Sequence, residues 1–126
     1  MLHLLLHGLA PLTVALTFYR PKWLAAFWIM MLGMLIDLDH LLADPIYDPG
    51  RCSVGFHPLH TWLPIALYVV LLAHPKTRLI GIGLCLHIVL DALDCQVTNG
   101  IWAQGLGYPA HGRPAAARCL FAGSGL

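Results

Sequence analysis

The stretch Trp23-Leu-Ala-Ala-Phe-Trp-Ile-Met-Met-Leu-Gly-Met-Leu-Ile-Asp37-Leu38-Asp39-His40 decides how the rest of the chain reads. An uninterrupted apolar run ends in two carboxylates and an imidazole. Continued to Ala43 the segment is 21 residues, about the length that crosses a bilayer. Ionisable groups inside such a span are costly and rare, so each is a candidate for function. Three other apolar stretches carry the same kinds of group. His3 and His7 open the first, His57 and His60 open the third, and His87, Asp91 and Asp94 close the fourth. In an up-down-up-down bundle, the starts of segments one and three meet the ends of two and four. Ten ionisable residues thereby converge at one end.

The composition agrees with membrane helices. Of 126 residues, 59% are apolar and 10% charged, with a mean hydropathy of +0.74. Soluble domains carry about 25% charged residues. The net charge of +1 and the lack of a basic patch exclude nucleic acid as the expected partner. There is no Glu, and four of the six Asp lie within or at the ends of apolar segments.

The expected fold is all-α: a four-helix transmembrane bundle over residues 1–95, with helices at about 2–19, 23–43, 58–73 and 79–95. Arg20-Pro21-Lys22 separates the first two. A turn-rich loop from Asp44 to Phe56 follows the second, with Asp44 and Asp48 read as turn residues. Pro58 suits a first helical turn. Residues 96–126 read as a loosely structured tail rich in Gly, Pro and Ala, with a short helix near Pro114 to Phe121 and with Trp102 and Tyr108 at an interface. The N-terminus lacks a basic region before its apolar stretch, so the first helix is expected to remain in the mature protein.

Arg20 and Lys22 share a side with Lys76 and Arg78, whereas only Arg51 lies in the opposite loop. The positive-inside rule makes the four-charge side cytoplasmic. The expected location is a bacterial inner membrane, multi-pass, with the cluster facing the extracytoplasmic side. Depth agrees across the helices. Fourteen steps separate Trp23 from Asp37 and His74 from His60, and twelve separate Leu79 from Asp91 and Tyr19 from His7. At 1.5 Å per residue these are about 18–21 Å, inside a hydrocarbon core of about 30 Å.

The spacing suits metal ligands. His3/His7 and His87/Asp91 are i,i+4 pairs; Asp37/His40, His57/His60 and Asp91/Asp94 are i,i+3 pairs, so each pair shares a helix face. Imidazole with carboxylate suits a divalent metal, zinc before manganese or iron, and the ligand count allows two ions. The candidate ligands are His3, His7, Asp37, His40, His57, His60, His87 and Asp91, with His7, Asp37, His60, His87 and Asp91 at their centre. Asp39 lies about 160° round an α-helix from Asp37, which places it behind a ligating imidazole, as the carboxylate that takes its other N–H, or on the loop side. Asp39 and Asp94 are the candidate proton acceptors, and Arg51 is a candidate to meet a substrate phosphate, or else a loop anchor.

Other readings of these residues stand beside the metal one. Buried membrane histidines also bond between helices. Terminal fraying could take His3 out of play, His57, His40 and Asp94 could cap helices, and His74 and His111 stand apart. Cys52 and Cys95 fall at the same end; in an oxidising compartment a disulfide would tie the loop over the site. They could instead be ligands or free thiols. Cys85 reads as packing, and Cys119 has no assignment.

The chain from His3 to Cys95 resembles a family of small bacterial membrane proteins of unknown function. The likeness rests on His3-xxx-His7, on Ile36-Asp37-Leu38-Asp39-His40, on Arg51-Cys52-Ser53 with Phe56-His57-Pro58-Leu59-His60, and on His87-xxx-Asp91-xx-Asp94-Cys95. The Asp-Leu-Asp-His run also resembles membrane-bound metal-dependent hydrolases, and His87-xxx-Asp91 is distantly similar to a motif of zinc-dependent phospholipases C. That resemblance implies metal-dependent hydrolysis. The expected substrate is a phosphoester or lipid-like molecule, and the expected partners are membrane lipids and that small-molecule or lipid substrate. The alternatives are a non-enzymatic metal-binding, sensing or transport protein, and haem binding through paired histidines. Against a transport path, the cytoplasmic half lacks polar groups.

Overall fold

The computed structural model describes residues 2–44, 46 and 51–104. Among them are four α-helices, α1 (Leu2–Phe18), α2 (Trp23–Met31), α3 (Trp62–Ala73) and α4 (Arg78–Asn99), three 3₁₀ segments (Arg20–Lys22, Leu32–Leu42 and Pro58–His60), and no strand. The expected helix at 114–121, and Asp48, Tyr108, His111 and Cys119, lie outside the described residues.

The other elements assemble around α4, which packs on α1, α2, α3 and the Leu32–Leu42 segment. Its glycines set how closely they approach. A Cβ on Gly83 would strike the Met30 carbonyl oxygen, and one on Gly81 would come within 3.0 Å of the Leu71 backbone. Opposite Gly83, a Cβ on Gly33 would lie 2.9 Å from the Gly83 carbonyl carbon. Small residues let backbones meet where lipid gives no hydrophobic drive for helices to associate.

The second apolar segment departs from expectation in its winding. It starts as α2 and continues as 3₁₀ helix from Leu32 to Leu42. Three residues per turn stack i over i+3, and the sequence sorts into three rows. Gly33, Ile36 and Asp39 are buried, Met34, Asp37 and His40 are half-buried, and Leu35, Leu38 and Leu41 are exposed. The 160° separation expected of Asp37 and Asp39 holds only for an α-helix; here it is about 120°. Asp39 therefore faces inward at 4% exposure, which corrects the loop-side alternative.

The third segment is not one helix over 58–73. Thr61 is extended (φ −88°, ψ 168°) between Pro58–His60 and α3. Pro64 explains the break: it has no N–H for the His60 carbonyl four residues back, and its ring would clash there. The His60 carbonyl instead accepts the Gly55 N–H at 2.9 Å. Gly55 sits at φ +87°, and a Cβ on it would collide with the Gln104 carbonyl oxygen. The fourth segment runs past Cys95 to Asn99, so residues 96–99 are helix and not tail. Gly100 ends it at φ +69°, its N–H on the Gln96 carbonyl at 3.0 Å, the usual left-handed stop.

Arg20–Leu42 (23 residues) and Arg78–Asn99 (22 residues) are each long and apolar enough to cross a membrane. α1 and α3 are shorter, at 17 and 12 residues. Burial is the reverse of a water-facing fold. Leu24, Trp28, Leu35, Leu63, Val70 and Val97 are exposed, whereas His7, Asp39, His57, His60, His87 and Asp91 are buried.

Candidate metal centre

Four elements deliver the buried polar groups to one place. α1 carries His3 and His7, the Leu32–Leu42 segment carries Asp37, Asp39 and His40, the Pro58–His60 turn carries His60 with His57 just before it, and α4 carries His87, Asp91 and Asp94. The side chains form three groups able to hold a metal ion: Asp37 with His60, His87 and Asp91; His3 with His7 and Asp91; and Asp39 with His40 and His57.

The first group is the most enclosed. Its atoms lie at nearly equal distances. His60 Nε2 is 3.1 Å from Asp91 Oδ2, 3.4 Å from His87 Nε2 and 3.6 Å from Asp37 Oδ1. His87 Nε2 is 3.0 Å from Asp37 Oδ1 and 3.5 Å from Asp91 Oδ2. These are five of the six edges of a tetrahedron. Ligands about 2.0–2.1 Å from a central zinc stand about 3.3 Å from one another. The donor chemistry agrees. Asp39 Oδ2 accepts from His60 Nδ1 at 3.1 Å and from the Leu59 N–H at 2.8 Å. A proton on Nδ1 leaves a lone pair on His60 Nε2, aimed at two carboxylate oxygens and a second imidazole. Such a set requires protons or a cation among its members to offset the desolvation of its charges. Asp91 Oδ2 is itself buried without a hydrogen-bond partner. The residues present therefore fit a divalent ion.

Asp39 thus holds and orients His60, as carboxylates beside metal-binding imidazoles commonly do. Of the two roles expected of it, orienting an imidazole and accepting a proton, this geometry matches the first. Asp94, the other expected acceptor, is 53% exposed and lies 3.6 Å from His3 Nδ1. His3 is not frayed out of the cluster: its Nε2 lies 3.3 Å from Asp91 Oδ1. His40 and His57 stack at 3.8 Å beside the first group, and His40 Nδ1 lies 3.5 Å from Asp37 Oδ1. His40 Nδ1 is 3.2 Å from Asp39 Oδ1, and its Nε2 is 3.1 Å from Ser53 Oγ. Burial first, and then the neighbouring His40, push His57 down to about 4, so its imidazole is neutral near pH 7.

The segment from Cys52 to Thr61 is more than a loop over the site. Cys52, Val54, His57 and His60 are buried, and a Cys52–Cys95 disulfide ties the segment to α4 with 5.3 Å between Cα atoms. Val54 accepts the Gln104 N–H at 2.7 Å, and Tyr68 donates to the Leu59 carbonyl at 3.0 Å. The sequence signal for this wall was the alternation of Cys52, Val54 and Phe56 just before His57. Arg51 places its guanidinium 4.6 Å over the Phe56 ring, the loop-anchor position. Cys85, half-buried on α4, is a free thiol packed at the edge of the surrounding apolar cluster.

Residues 1–98 match the model of a family of unknown function, DUF6122. The chain belongs to that family. The matched span takes in all ten converging residues and both cysteines of the disulfide. No curated protein and no solved structure matches the chain.

Proposed function

We propose that this chain is an integral membrane metal-dependent hydrolase. Its four helical segments cross the membrane. The Asp37, His60, His87 and Asp91 group holds zinc at the extracytoplasmic end, and the substrate is a phosphoester or lipid-like molecule. The near-equal separations within that group, in a polar interior beneath an apolar exterior, carry the metal reading. The Cys52–Cys95 disulfide supports an oxidising compartment for this end. The exposed apolar side chains support contact with lipid acyl chains. Arg20–Leu42, lengthened by 3₁₀ winding at about 2.0 Å per residue, supports a full crossing.

A divalent ion bound at this end would polarise a phosphoryl oxygen and lower the pKa of water. The chain's own residues do the rest. Asp39 fixes the His60 ring. Asp94, half in solvent beside His3, is the carboxylate open to receive a proton. Arg51, held against Phe56, contributes positive charge at the rim.

A second reading, non-enzymatic metal binding, draws on the first group's four protein ligands, since structural zinc sites are closed. Haem binding is not carried forward, because Asp37 Oδ1 and Asp91 Oδ2 crowd the nitrogens a macrocycle would need.

Detergent-purified protein tests both. Elemental analysis is expected to find at least one zinc per chain. Chelation is expected to lower the thermal midpoint and to abolish cleavage of a chromogenic phosphodiester, with zinc restoring it. Metal binding without cleavage of phosphodiester or lipid substrates would favour the second reading. No metal, with stability unchanged by chelator, would remove both.

A further inference from the structure

Asp91 belongs to two of the three groups, and its two oxygens serve different histidines. Oδ2 faces His60 and His87 at 3.1 and 3.5 Å. Oδ1 faces His3 Nε2 and His7 Nε2, each at 3.3 Å. His7 is fixed by its other nitrogen, since Nδ1 lies 2.9 Å from the His3 carbonyl and must donate to it. In the neutral ring this leaves a lone pair on Nε2, aimed at a carboxylate oxygen. His7 Nε2 is buried with no hydrogen-bond partner, in a side chain only 1% exposed. Two acceptors facing each other in a dry interior repel unless a cation or proton lies between them. A protonated imidazole would close on its carboxylate to about 2.7–2.9 Å. The observed 3.3 Å is instead the edge expected between two ligands of one ion, about 3.3 Å.

We infer that His3, His7 and Asp91 Oδ1 bind a second divalent cation, with the Asp91 carboxylate bridging it to the ion held by Asp37, His60 and His87. This rests on the reading of the first group as a metal site. The two positions differ in closure. The first has four protein ligands. The second has three, and it opens beside His3, 33% exposed, and Asp94, 53% exposed. Sites that bind water or substrate keep such a position free. The second ion is therefore the weaker and more exchangeable one, and the one that meets substrate. Asp94, 3.6 Å from His3 Nδ1, lies beside that imidazole on the open side.

The test is metal stoichiometry of the full chain in detergent, stripped and then titrated with Zn²⁺ or Mn²⁺. Wild type is expected to bind two ions per chain, the second at least tenfold more weakly. His3→Gln, at a half-exposed position, and His7→Ala are each expected to lose one ion and keep the tighter one. In Mn²⁺-loaded protein, electron paramagnetic resonance is expected to show an isolated-ion spectrum at one equivalent and a coupled pair at two. Saturation at one ion in wild type, unchanged by His3→Gln, overturns the second site and leaves the first intact. Two ions without magnetic coupling overturn the bridge. No binding at all overturns the first site, and this inference with it.

Discussion

The two ends of the bundle are built on opposite principles. At the end where α1 turns into α2, Ala15, Ala26 and Met30 are fully packed against Val14, Phe27, Leu79 and Ile82. Gly33 and Gly83 bring backbones into contact just beyond them. That end is specified by shape. The other end buries His7, Asp39, His57, His60, His87 and Asp91 among the apolar Ile36, Val54, Leu84 and Ile88. It is specified by charge and by what occupies it. Buried charges offset their desolvation only when they are well paired, so under the proposed metal reading the polar end depends on an ion in a way the apolar end does not.

Removing the metal is therefore expected to have the largest effect, and a local one. An ion at a thousand times its dissociation constant stabilises by about 4 kcal/mol. Chelation, or Asp91→Ala, should cost about that much in unfolding free energy. Hydrogen exchange should rise in residues 33–42 and 52–61 and stay slow around Ala15 and Ala26. Uniform loosening of both ends would contradict the contrast.

Breaking the disulfide comes next. Cys52→Ser removes a link across 43 residues and is expected to cost about 3 kcal/mol. Reduction of wild type should reproduce the loss. Gly83→Ala probes the other end. Its Cβ meets the Met30 carbonyl oxygen, and overpacking of this kind costs about 2 kcal/mol. Metal affinity should fall less than in Asp39→Asn, because Gly83 lies one turn from His87 and is not itself among the ligands. Asp39→Asn should do the reverse, weakening metal binding about 10–100-fold by loosening His60 while leaving helix packing intact.

The smallest effect concerns pH. His57 sits at about 4 in the fold, against 6.5 ordinarily. As pH falls from 6.5 toward 4 the unfolded chain takes up that proton first, so this part of the stability is present above the window and lost within it. Metal-free His57→Gln should show a shallower loss between those values in acid unfolding curves.

How much of this could be read beforehand depended on the kind of signal. The convergence of His7, Asp37, His60, His87 and Asp91 was legible because ionisable groups stand out against Leu and Val. Their division into groups sharing Asp91 was not, because sequence spacing says which face a carboxylate is on and not where each oxygen points. The run Leu32–Leu42 fits periods of 3.6 and 3.0 alike, and the choice between them decides which of its residues face inward. His3 drew its place from Asp91 and Asp94 on a distant helix, which no local pattern records. Two corrections were within reach: Pro64 disfavours a continuous helix from Pro58, and Asn99-Gly100 marks the end of α4.

The most direct test of the centre is X-ray absorption at the metal edge of zinc-loaded protein. A nitrogen and oxygen shell at about 2.0–2.1 Å with imidazole scattering from two or more histidines is the expected result. A sulfur shell at about 2.3 Å, or zinc ligated without imidazole, would contradict it.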